Sequence, residues 1–171
     1  MRSLVSVLFI MIAFKGIAQE NVITELFREY EGQENFTTIY ITSKMFEMIA
    51  QIPEQEDEED LLNVIRKLTG VRVLSTDNYE DAGDLYQKAY KLLPGHGFEE
   101  LMIVKENDKE TKFLVRQNRE VISELIMLSG GRESFSIISI TGDLRLKDIS
   151  RLSKTLDIQG FDHLEKVDDK P

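Results

Sequence analysis

The sequence predicts an α+β fold: a two-layer sandwich with helices packed mainly on one face of a mostly antiparallel sheet. Three observations lead there. From residue 22 to residue 93, apolar side chains recur mostly at helical spacing, interrupted by two short β-rich runs. From 98 to 141, four strand-like runs follow one another with only short polar connections, the pattern of an antiparallel meander. A final amphipathic run then supplies one more helix to cover the sheet.

Each element has its own signal. Val22, Ile23, Leu26, Phe27 and Tyr30 form a helical stripe that stops before Gly32. Residues 36–41 are aromatic and β-branched, and read as a strand. Ser43 is placed to cap a helix carrying Met45, Phe46 and Ile49, which Pro53 ends. Leu61, Leu62, Ile65 and Leu68 make another helical stripe, with Gly70 as its stop. A short strand covers 71–74. Asn78 is a cap for the next helix, whose stripe is Ala82, Leu85, Tyr86, Ala89, Tyr90 and Leu93. Pro94, Gly95, His96 and Gly97 make a turn. The meander strands are 98–105, 112–117, 121–128 and 134–141. Leu146, Ile149, Leu152 and Leu156 line the last helix, which Gly160 ends. One domain spans 20–164, and 165–171 is a flexible charged tail.

The first eighteen residues have the layout of a secretory signal peptide. Arg2 is followed by an apolar run from 4 to 14, and Gly16 and Ala18 stand three and one positions before a cleavage point after Ala18, with cleavage after Gln19 the close alternative. The run is shorter than the ~20 apolar residues of a membrane span. An exported protein, periplasmic or secreted, is the expectation. There is no cysteine. That rules out disulfides, thiol nucleophiles, thiolate zinc sites and a lipid anchor on a thiol after the leader.

The whole chain carries a formal charge of −10. Without the leader, which holds Arg2 and Lys15 and no acid, the charge is −12. Phosphate backbones repel such a chain, so no nucleic-acid partner is expected. No second apolar run is long enough to span a membrane. An apolar content of 42% is ordinary for a folded domain.

Candidate chemistry is sparse. The acidic run at 54–60 offers hard oxygens for calcium, but it lacks the alternating ligands and turn glycine of a calcium loop. It reads as a solvated loop leading into a helix N-terminus, where acids are favoured. His96 is the one candidate catalytic residue. General-base or metal chemistry needs partners, and the other histidine, His163, lies far along the chain. An exposed turn residue is the simpler reading of His96. The run Ser129, Gly130, Gly131, Arg132 lies between two strands, where a hairpin turn fits better than a phosphate loop. Asn35, Phe36 and Thr37 match a glycosylation sequon, which matters only in a eukaryotic secretory route. No cofactor and no metal is expected.

Several meander strands are apolar on both faces. In 121–128, alternation puts Val121, Ser123, Leu125 and Met127 on one side, and Ile122, Glu124, Ile126 and Leu128 on the other. One face packs on helices. The other meets further helices, a second copy or a partner protein.

With these elements placed, the chain resembles domain-of-unknown-function family 4252. The residues that carry the likeness are 129–131, then Ser136 to Leu144 with its Gly142–Asp143–Leu144 ending, then 146–152. The family comprises exported proteins and lipoproteins of Bacteroidetes-type bacteria. The resemblance implies a periplasmic or surface protein with no assigned activity, and it carries over no functional residues. The lipid-attachment cysteine of many members is missing here, which favours an untethered form. The function expected is a non-enzymatic envelope protein that works by contact with another envelope protein or with itself. The alternatives are a hydrolase using carboxylates with His96, and a structural homo-oligomer.

Overall fold

The computed structural model describes residues 22–51 and 59–156. In chain order the described residues form α1 (Val22–Tyr30), β1 (Thr37–Thr42), α2 (Ser43–Ile49), α3 (Glu59–Ile65) and β2 (Leu68–Thr76). Then come α4 (Ala82–Leu92), a 3-10 turn at Pro94–His96, and β3 (Glu99–Glu106). The last four elements are β4 (Lys109–Asn118), β5 (Val121–Gly130), β6 (Phe135–Leu144) and α5 (Leu146–Leu156). The six strands make one sheet in the order β1-β2-β6-β5-β4-β3, and every neighbouring pair is antiparallel. The α+β class and the meander hold. The two earlier strands extend the meander's sheet beside β6.

The layering differs from the two-layer expectation, because helices cover both faces. On the first face, Ile23, Leu26 and Phe27 of α1 and Leu85, Tyr86 and Ala89 of α4 pack on Leu74, Leu114, Ile126, Leu128 and Ile137. On the second, Phe46 of α2, Val64 of α3 and Ile149 of α5 pack on Phe113, Val115, Leu125, Ile140 and Leu144. Two cores need strands that are apolar on both sides, which accounts for the composition of 121–128 and 135–140. In these two stretches only Val121 and Ser123 are exposed, and Met127, Ser136 and Ile138 are half-buried. Internal packing therefore takes up most of the apolar surface of these two stretches, and the exposed apolar residues of the meander are Leu101, Ile103 and Val121.

Strict alternation also fails inside β5. Against β4, consecutive Arg116 and Gln117 pair with Glu124 and Ile122, a bulge that leaves Ser123 unpaired. The extra residue carries Ile122 to the second core, while Glu124 stays on the first face with Ile126. The expectation that Ile122, Glu124, Ile126 and Leu128 share a face holds for the last three.

Gly70 does not close a helix. It lies inside β2, opposite Thr42 of β1 and Thr141 of β6. A Cβ there would stand 3.0 Å from Thr141 Oγ1, so the missing side chain permits close approach. Leu68, expected on a helical stripe, begins β2 instead. A lone leucine fits either period, and pairing with β6 decides it. Helix α2 starts at Ser43 with Thr42 in the cap position, and neither hydroxyl caps it. Pro53, Gly160, His163 and the tail lie outside the described residues, as do residues 1–21 and most of the acidic run.

Candidate functional site

Two adjoining clefts open at the end of the sheet where the β3–β4 turn, the β5–β6 loop and the start of α4 meet. One has a volume of about 330 Å³ and is lined by Gly83, Tyr86, Lys105, Glu110 and Gly130, among others. The other, about 560 Å³, shares Asp108, Lys109 and Gly131 with it and adds Arg132 and Glu133. Both are open and polar.

A chain of paired charges starts from Tyr86, Lys105 and Glu110 in the lining of the first cleft and continues beyond it to Lys112 and Glu100. The Tyr86 hydroxyl donates to Glu110 at 2.6 Å. Lys105 pairs with the same carboxylate at 2.8 Å. Lys112 lies between Glu100 at 3.0 Å and Glu110 at 3.5 Å, with its ammonium 4.2 Å from the centre of the Tyr90 ring. The bond from Lys105, then that from Tyr86, holds Glu110 down at about 2. Burial, then the Glu110 bond, pushes the Tyr86 phenol up. Burial works to lower Lys112, but the Glu100 bond and the two carboxylates hold it above the usual lysine value. At neutral pH the site therefore holds a phenol, a carboxylate and an ammonium, each fixed in its ordinary state. It presents charge to a solute, and its acid and base groups are engaged with one another.

A second polar cluster borders the first core, with Glu124 and Ser139 buried and Arg116 half-buried. Glu124, fully buried, accepts hydrogen bonds from Arg116 and, at 2.6 Å, from Ser139 Oγ. The Arg116 guanidinium lies 4.9 Å from the Phe98 ring. Sequence reasoning missed this group. The available signal was an acid in mid-strand, with an arginine eight residues earlier across a short hairpin.

His96 ends the 3-10 turn after α4 and is half-buried. Its Nδ1 donates to the Leu92 carbonyl at 2.8 Å, which satisfies an orphan acceptor at the helix end. Among the described residues no carboxylate pairs with it. Ser129 is buried on β5 and bonded to Thr111 at 2.9 Å. Gly130 is still within β5, so the connection to β6 begins at Gly131, whose N–H reaches the Ser134 carbonyl at 2.9 Å. Asn35 is exposed at φ +71 just before β1.

The surface that sequence reasoning did not single out is β1 with α2. Of the nine exposed large apolar residues among those described, four fall here: Ile39, Tyr40, Met45 and Met48, at 44–58% exposure. A third cleft of about 530 Å³ opens beside them, lined by Phe46, Ala50, Arg66 and Leu68 with polar neighbours. No helix among the described residues is long and apolar enough to cross a membrane. No group of three or more His, Asp or Glu side chains among them is placed to hold a metal ion.

No curated protein and no solved structure matches the chain. The family model described as Domain of unknown function (DUF4252) matches residues 30–152, from the last residue of α1 into α5, and the chain belongs to that family.

Proposed function

We propose that this is an exported, non-enzymatic protein of the cell envelope, periplasmic or secreted, that acts by contact with another protein through β1 and α2. One observation carries the reading: Ile39, Met45 and Met48 are exposed apolar residues of β1 and α2, and Tyr40 adds exposed apolar area on the opposite face of β1, toward Phe27, in an otherwise acidic chain. Exposed methionines suit such a surface, because an unbranched thioether adapts to the shape it meets. The ion-paired state of the polar clefts supports the same reading, as does the place of His96 as a cap on a helix end.

Two measurements test it. The mass of protein recovered outside the cytoplasm should correspond to a chain starting at Gln19 or Glu20, and a mass that retains Met1 would refute export by this leader. In a strain lacking the gene, Met45→Glu or Met48→Glu should fail to restore the phenotype, with melting temperature near that of the parent. His96→Ala and Lys105→Ala should restore it. The reverse pattern, with His96 or Lys105 required and the methionines dispensable, would replace the contact reading with one centred on the clefts.

A further inference from the structure

The two edges of the sheet are built differently. At one edge, β3 carries Glu99, Glu100, Lys105 and Glu106, and a bulge between Glu100 and Met102 breaks its register with β4. Charges and bulges are the usual devices that keep an edge from pairing with a foreign strand. At the other edge, β1 has none of them. Its six residues, Thr-Thr-Ile-Tyr-Ile-Thr, include no charge and no proline. Its register with β2 runs unbroken from Thr37 to Thr42. Its residues are β-branched or aromatic, and Thr37, Ile39, Tyr40 and Thr42 are exposed.

The strand is also a palindrome. From residue 38 to residue 42 it reads Thr-Ile-Tyr-Ile-Thr in either direction. Antiparallel pairing about a two-fold axis at Tyr40 would set Tyr40 against Tyr40, Ile39 against Ile41, and Thr38 against Thr42. Each pair is of like kind and lies on one face, a combination that favours cross-strand contact. An isologous contact asks for this self-complementarity. The strand itself carries no charge; the Glu31 carboxylate accepts a bond from the Tyr40 hydroxyl, with the Arg72 cation nearby to offset it.

We infer that β1 pairs with β1 of a second copy, antiparallel and centred on Tyr40, so that two six-stranded sheets join across a two-fold axis. The inference deepens the contact reading above and rests on it, naming a second copy of this chain as the partner. Five paired residues span ~17 Å of edge, which suits a weak, concentration-dependent dimer.

The absence of cysteine supplies a clean test. In the proposed pairing the two Tyr40 Cα atoms are about 4.5–5.5 Å apart, within the range a disulfide spans. Under mild oxidation, exported protein carrying Tyr40→Cys should form a disulfide dimer several-fold faster than Ile103→Cys, an equally exposed control on the β3 edge. Sedimentation of the parent protein, which needs no substitution, should show a monomer–dimer equilibrium. Ile39→Lys should shift it to monomer while circular dichroism stays unchanged. Equal crosslinking at 40 and 103 would overturn the inference, and so would a single monomeric species up to millimolar concentration. If the parent is monomeric but Met45→Glu still abolishes the phenotype, the second copy is excluded and the contact reading stands with a different partner.

Discussion

Lys67 reaches across 81 residues of sequence to place its ammonium 2.8 Å from both oxygens of Asp148. Asp148 is 1% exposed, and it also accepts the Arg145 N–H at 2.9 Å. One carboxylate thus starts α5 and ties it to the entrance of β2. The same corner is closed by backbone: the Lys67 carbonyl accepts the Asp143 N–H at 3.1 Å, and a Cβ on Gly142 would stand 2.3 Å from that oxygen.

This pair predicts an acid-dependent stability. Burial works to raise Asp148, but the Lys67 bond and the Arg145 N–H hold it below the usual 3.8. A folded value below the unfolded one stabilises the protein above about pH 4, and the gain is lost as pH falls through the folded value. Asp148→Asn should cost about 2–3 kcal/mol at pH 7 and less at pH 3. Urea titrations of parent and variant at both pH values measure the difference, and an equal cost at both would refute the linkage.

Glu124 predicts a strong non-additivity. Glu124→Ala leaves the half-buried Arg116 and the buried Ser139 without their carboxylate, at a cost of about 2–3 kcal/mol. Replacing both charges, Arg116→Met with Glu124→Leu, should recover most of that loss, because neither charge is then left unpaired. A double-mutant cycle by chemical denaturation checks it, and additive costs would show that the pair is not coupled.

Two glycines predict opposite signs. A Cβ on Gly130 would meet the Tyr86 ring at 2.5 Å, in the packed first core, and Gly130→Ala should destabilise by about 2–3 kcal/mol. A Cβ on Gly83 meets nothing within 4 Å, and Gly83 lies in α4. Gly83→Ala should therefore stabilise by about 0.5–1 kcal/mol. Thermal melts of the two variants, read side by side, decide both.

Tyr86→Phe removes one of the two bonds that hold Glu110 at about 2. The Glu110 value should rise toward the ordinary 4.5, which carboxyl-carbon NMR titration reads directly. Because a depressed carboxylate loses its contribution as pH falls, the variant should lose about 1 kcal/mol at pH 7 and less at pH 2. An unchanged Glu110 titration would mean that Lys105 alone holds it.

What the sequence determined by itself was local. Periodicity placed the helices at 22–30, 82–92 and 146–156 close to their true bounds, because an apolar stripe or an alternating run is a property of consecutive residues. The α+β class and the meander followed from the same signal. The Ser129-to-Leu152 passage also sufficed to point to the family. Only the tertiary structure decided the rest. Whether 121–128 faces a partner or two internal cores depends on where α2, α3 and α5 lie, and residues far away in sequence set that. Gly70 reads as a helix stop until β6 approaches it. The bulge at Ser123 that turns Ile122 into the second core leaves no mark in the local pattern. The Lys67–Asp148 and Arg116–Glu124 pairs, and the exposure of β1, are relations between separated parts of the chain. Hydrophobic spacing says that a side chain must be buried, and only the packing of the whole chain says against what.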